Sequence, residues 1–164
     1  MMKYVDTKVV FSELPNEITL AINISGCPCA CHGCHSSYLA GDIGVPLTYE
    51  ELSRLIQANR GITAVSFMGG DANPAEINRL AHWVKTQTHL LTGWYSGRSQ
   101  LSSDIELSNF NFIKLGPYID ELGPLNSPTT NQRMYEVVIS REVDENNNPI
   151  YALNDITACF KKSV

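Results

Sequence analysis

The sequence lacks any apolar run approaching the roughly 20 residues that a helix needs to cross a bilayer. It also lacks an excess of base. Twelve Lys and Arg stand against 17 Asp and Glu, a net charge of -5, so the basic footprint of a nucleic-acid-binding surface is missing. Residues 1–11 have neither the long apolar stretch nor the small-residue cleavage site of a secretory signal. Neither a membrane nor a nucleic acid is therefore expected as a partner, and a cytoplasmic protein is. Repeats, low-complexity tracts and linkers are absent as well. With 43% hydrophobic residues in 164, the chain can bury a core without disulfide staples, and one domain spanning residues 1–164 is expected.

What the chain does have is a crowded set of thiols. Four of its five cysteines, Cys27, Cys29, Cys31 and Cys34, fall within eight residues; Cys159 is far away. Disulfide frameworks spread cysteines so that loops are closed, and this cluster closes almost nothing, so metal binding is the better reading. Cys27, Cys31 and Cys34 have the spacing C-x3-C-x2-C, in the stretch SGCPCACHGCHS from Ser25 to Ser36. A tight loop with that spacing can point three thiolates at one 4Fe-4S cubane, leaving one iron open to a substrate. Zinc is the rival. A zinc ribbon needs two separated ligand pairs, whereas Cys27, Cys29, Cys31, Cys34, His32 and His35 share one loop. Cys29 sits two residues from both Cys27 and Cys31 and competes as a ligand, although a bystander role is preferred for it. Cys159 reads as structural.

Around this loop the pattern is that of an α/β protein. Thr19–Ser25 reads as a buried strand ending at Gly26, preceded by a strand over Lys8–Phe11 and a turn at Pro15-Asn16. Thr48 with Glu51 is a capping box opening a helix whose apolar face is Leu52, Leu55 and Ile56, stopped near Gly61. Ile62–Phe67 is a strand. Asn73 and Pro74 open a second helix with Ile77, Leu80, Ala81 and Val84 as its buried stripe. His89–Tyr95 and Asn111–Leu115 are further strands. Met134–Ser140 and Ile150–Leu153 form a late pair joined through Asn146–Pro149. Alternation of strand and helix predicts a mostly parallel open sheet with flanking helices. In such a sheet ligands gather beyond the carboxyl ends of the strands. The cysteine loop and the turns at Gly69-Gly70, Ser96-Gly97 and Gly116 should share that rim.

With these motifs in place, the chain resembles the radical S-adenosylmethionine enzymes. The cysteine loop after a first strand is the mark of that superfamily, and Ser66-Phe67-Met68-Gly69-Gly70-Asp71 looks like its glycine-rich motif, with Asp71 where Glu is usual. The resemblance implies a partial (β/α) barrel. It places Gly69, Gly70 and Asp71 at the methionine end of S-adenosylmethionine and Ser96 near its carboxylate or ribose, with Arg98 as a further candidate. The aromatic residue usual before the third cysteine is Gly33 here, which moves the adenine contact to His35 or Tyr38. Within the superfamily the chain is most similar to the anaerobic ribonucleotide reductase activating proteins. That likeness rests on the short length, Gly33-Cys34-His35, Gly116-Pro117-Tyr118 and Thr130-Asn131-Gln132-Arg133.

This similarity implies a glycyl-radical activase. An electron from a donor such as flavodoxin enters the cluster, S-adenosylmethionine is cleaved to methionine and a 5′-deoxyadenosyl radical, and a hydrogen atom is taken from a glycine of the large reductase subunit. Asn131, Gln132 and Arg133 would shape the rim where that glycine enters. His82 and His89 read as structural. Two alternatives stay open: a small iron–sulfur or zinc protein without catalysis, and an activase of another glycyl-radical enzyme.

Overall fold

The computed structural model describes residues 1–161. The strands are β1 (Lys3–Val10), β2 (Thr19–Ile24), β3 (Val45–Pro46), β4 (Ala64–Met68), β5 (Leu91–Tyr95), β6 (Phe112–Leu115), β7 (Arg133–Val143) and β8 (Pro149–Asp155); the helices are α1 (Tyr49–Ala58) and α2 (Pro74–Gln87). All eight strands join one open sheet in the order β3-β1-β2-β4-β5-β6-β7-β8. The four central strands, β2, β4, β5 and β6, run parallel. The outer pairings are antiparallel.

The expectation of a mostly parallel sheet therefore needs correction: three of the seven pairings are parallel and four antiparallel. The reason is connection length. A parallel return needs a crossover connection of a dozen or more residues; the central strands have such connections, whereas β1–β2 and β7–β8 are joined by shorter turns that favour antiparallel pairing, and β7 is antiparallel to β6 across a longer loop. The partial (β/α) barrel that the resemblance implies is not clearly formed either, since the strands make one open sheet ending in β3 and β8. The helices flank one face only. Successive β-α-β steps proceed across the sheet in the same direction, and right-handed crossovers then place every helix on the same side.

Strand alternation follows from this one-sided cover. Leu20, Ile22 and Ile24 of β2, Val65 and Phe67 of β4, Trp94 of β5 and Ile113 of β6 pack with Leu52 and Leu55 of α1 and Ile77, Leu80, Ala81 and Val84 of α2 in one core. The opposite face carries a smaller core of Leu14, Ala64, Phe112 and Met134, under the turn that connects β1 to β2.

Both helix starts form as their sequences predict. Thr48 Oγ1 accepts from Glu51 N at 3.2 Å, and Asn73 Oδ1 accepts from Glu76 N at 3.2 Å. The capping box is only half made, because the Glu51 carboxylate turns instead to Arg54 and to the Tyr4 hydroxyl, tying α1 to β1. The short strand β3 and the early start of β1 at Lys3 went unforeseen, since two residues show no periodicity. No described helix is long and apolar enough to cross a membrane.

Candidate metal centre

The parallel register aligns Asn23, Met68, Tyr95 and Lys114 in one row near the strand ends. Immediately beyond it lie the cysteine loop after β2, the Gly69-Gly70-Asp71 turn after β4, Ser96-Gly97 after β5 and Gly116 after β6. The rim expected from the sequence is thus assembled, at the carboxyl ends of the parallel strands.

The loop is anchored at its base. Gly26 N donates to Gly41 O and Cys27 N to Leu39 O, both at 3.0 Å, so the loop closes on the segment that follows it. Cys34 is held by a turn, Cys34 N to Cys31 O at 3.3 Å, and its sulfur accepts from Ser36 N at 3.4 Å. Cys27, Cys29, Cys31 and Cys34 are all half-buried and free; Cys159 is free and exposed. Among the described residues no three Cys, His, Asp or Glu side chains are gathered into a ready metal site. The donor set fits an iron–sulfur cluster nonetheless: free thiols of one loop, outside any strand, can be drawn in as the metal binds.

Cys29 is set apart from its neighbours. Its Sγ lies 3.7 Å from Asp71 Oδ2. Burial above all, with the Asp71 carboxylate and Cys27 adding to it, pushes its thiol up to about 12. A thiol held protonated is a poor metal ligand, because the thiolate is the ligating form.

Asp71 and Ser96, two residues singled out on the sequence, meet here. Both are buried, and Ser96 Oγ donates to Asp71 Oδ1 while Gly97 N donates to Asp71 Oδ2 at 2.9 Å. Ser96 Oγ in turn accepts from Arg98 N at 3.0 Å. A Cβ on Gly97 would stand 2.7 Å from Cys29 Sγ, so the absence of a side chain is what lets the cysteine loop approach Asp71.

The glycine turn is also locked. Gly69 N donates to Tyr95 O at 2.9 Å, Gly69 O accepts from the Trp94 indole at 2.8 Å, and Gly70 O accepts from Asn73 N at 3.0 Å. Gly70 has φ +89, and a Cβ there would meet Ile77 Cδ1 at 2.5 Å. Its missing side chain serves the close packing of α2 against the sheet, and the direction of that packing is into the core.

Of the remaining candidates, His32 and His35 are exposed, and the His35 ring lies 5.9 Å from the Tyr118 ring. Tyr38 is turned away and donates to Asp6 at 3.0 Å. Arg98 is exposed. His82 Nδ1 pairs with Asn109 Oδ1 at 3.0 Å, as a structural histidine does, and His89 is exposed. In Asn131-Gln132-Arg133 the three residues part company. Asn131 donates to Pro117 O at 3.0 Å, Gln132 is buried, and Arg133 is exposed.

Lys114 escaped the sequence reading. It is 7% exposed, and its Nζ donates to Gly116 O at 2.6 Å and Ser96 O at 3.3 Å. Burial lowers its pKa to about 8, opposed above all by the Asp71 carboxylate and further by the cysteine loop. The signal was present: a lysine in the otherwise apolar strand Phe112–Leu115. Lys114 therefore puts a cation beside the cysteine loop, where thiolates would concentrate negative charge. Together with Cys34, His35, Met68, Tyr95 and Gln132 it lines a cleft of about 870 Å³ on the helix-free face.

A sequence model of the 4Fe-4S single cluster domain family matches residues 18–121. The chain belongs to this family. The matched segment of the 4Fe-4S domain runs from the residue before β2 to just beyond β6, so it holds the whole parallel core, the cysteine loop and the turns around it. No curated protein and no solved structure matches the chain. The chain is thus an iron–sulfur protein with a mixed α/β fold, whose binding domain is compatible with redox chemistry.

Proposed function

We propose that this 4Fe-4S protein is a radical S-adenosylmethionine activase that generates a glycyl radical on an anaerobic ribonucleotide reductase. One observation carries the reading. The cysteine loop, the Gly69-Gly70-Asp71 turn and Ser96 converge at one end of four parallel strands, in direct contact through Cys29, Asp71 and Gly97. A redox carrier has no need of a buried carboxylate–serine pair beside its cluster loop; a site that binds an organic cofactor does.

Cys27, Cys31 and Cys34 would hold the cluster, and Cys29 stays a thiol under Asp71. The cluster, when bound and reduced, supplies the electron that cleaves the sulfonium of S-adenosylmethionine. Asp71 would offer its remaining lone pairs to the cofactor's amino group, and Ser96, whose one hydroxyl proton goes to Asp71, would hold that carboxylate in place. His35 stands at the cleft edge, within reach of an adenine. Lys114 keeps positive charge near the thiolates and, through Ser96 O and Gly116 O, fixes the two turns relative to each other. The helix-free face leaves the cleft open, which suits a protein substrate.

The test is made with anaerobically reconstituted, reduced protein. It should turn S-adenosylmethionine into 5′-deoxyadenosine and methionine. With the large reductase added, it should produce a glycine-centred radical by electron paramagnetic resonance. Protein that takes up zinc and no iron, or a cluster-loaded and reduced sample that leaves the cofactor intact, would sink the catalytic reading. A radical formed only on a formate-lyase type of enzyme would sink the choice of partner.

A further inference from the structure

Gln132 is 7% exposed and lines the cleft beside Cys34 and Lys114. Among the described residues its carboxamide has no hydrogen-bond partner; the residue's one side-chain-assisted bond is made by its backbone, Gln132 N to Thr130 Oγ1 at 3.0 Å. Among the described residues the buried side-chain atoms without a partner are Thr19 Oγ1 and Asn131 Oδ1; the Gln132 amide atoms reach the solvent of the cleft and are free for a ligand. Asn131 next to it is tied to Pro117 O, and Lys114 is committed to Ser96 O and Gly116 O. The position of Gln132 is itself tightly set, because a Cβ on Gly116 would lie 3.1 Å from Gln132 Cα. The side chain is held with a donor and an acceptor free toward the cleft.

We infer that the Gln132 carboxamide binds one backbone peptide group of the partner segment that carries the reacting glycine. The inference rests on the activase reading above. A primary amide and a peptide group are complementary: each offers one N–H and one carbonyl in a plane. The cleft is also walled by Leu14, Leu125 and Phe160 and is open to solvent, as a groove that admits a length of chain must be. A glycine suits such a site because nothing projects from it to hold the backbone away from Gln132.

The experiment measures binding, so it does not depend on turnover. A fluorescent short peptide covering the radical-bearing glycine of an anaerobic ribonucleotide reductase is titrated into cluster-loaded protein with S-adenosylhomocysteine present. The wild type and Gln132→Met are compared, each with the amide peptide and with peptides carrying an ester in place of one amide on either side of the glycine. Gln132→Met loses both bonds and should bind the amide peptide at least about tenfold more weakly. One ester should cost the wild type about tenfold and Gln132→Met nothing further, because the N–H that the ester removes has no acceptor left in that variant. Gln132→Glu, closest in shape, keeps the acceptor and loses the donor, so it should bind more weakly yet stay sensitive to the ester. Equal ester penalties in wild type and Gln132→Met overturn the inference. So does a Gln132→Met that weakens S-adenosylhomocysteine instead of the peptide, which would assign the amide to adenine. Failure of the activase reading shows separately, as absent cofactor cleavage in the wild type.

Discussion

Alanine at Cys27, Cys31 or Cys34 is expected to abolish cluster assembly, whereas alanine at Cys29 or Cys159 is not. Iron and sulfide analysis of reconstituted protein checks this, with about four irons per chain expected where the cluster forms. The distinction rests on surroundings, since all four loop thiols are half-buried. Among the described loop thiols only Cys29 sits against a carboxylate, and burial together with that carboxylate raises its pKa. Lys114 makes a second prediction. Burial holds its pKa near 8 in the folded protein, below its ordinary 10.5. Between those values the unfolded chain binds the extra proton, so stability should rise with pH across that window. The rise should be on the order of 3 kcal/mol at most. Urea unfolding of cluster-free protein at pH 7 and pH 10, wild type against Lys114→Met, measures it. A Lys114→Met variant with the same rise would show that other groups are responsible.

At the scale of elements, the turn that presents Asp71 is fixed from behind by α2. Asn73 caps that helix, and Pro74 begins it. Replacing Asn73 with alanine should cost about 1 kcal/mol of stability, the usual worth of such a cap, and a thermal melt would detect it. The Asn73 backbone N also donates to Gly70 O in the same turn, a bond that alanine keeps, so the loss should be confined to stability, without loss of iron. A melt unchanged within error would mean that water replaces the cap. Gly70 is a less informative place to probe the cofactor. A side chain there strikes Ile77, so loss of binding would follow from disturbed packing between α2 and the sheet.

For the whole molecule, the arrangement of core and cluster loop makes the two separable. The main core is built from Leu, Ile, Val, Phe and Trp of β2, β4, β5, β6 and the two helices, and no cysteine belongs to it. Small metal domains that are unfolded without their ion lack such a core. Protein stripped of iron by a chelator should therefore keep its circular dichroism spectrum and a cooperative melt, while losing the visible absorbance of the cluster. Collapse of the spectrum on iron removal would place the cluster among the determinants of the fold.

The sequence by itself determined whatever depends on neighbours along the chain. The thiol spacing of Cys27, Cys31 and Cys34, the caps at Thr48 and Asn73, the stripe of Ile77, Leu80, Ala81 and Val84, and the turn before Pro149 are all short-range features. Each is stated by a few consecutive residues, and each was legible. Gathering of the strand-end turns on one rim was legible too, since it follows from strand–helix alternation. Only the tertiary structure decided the antiparallel edges, the placement of both helices on one face, the pairing of Cys29 with Asp71, and the exposure of Lys114 and Gln132 to the same cleft. Those depend on which strand lies beside which and in what register. That choice is made by the burial of residues far apart in the chain, where Met68, Tyr95 and Lys114 become neighbours although many residues separate them.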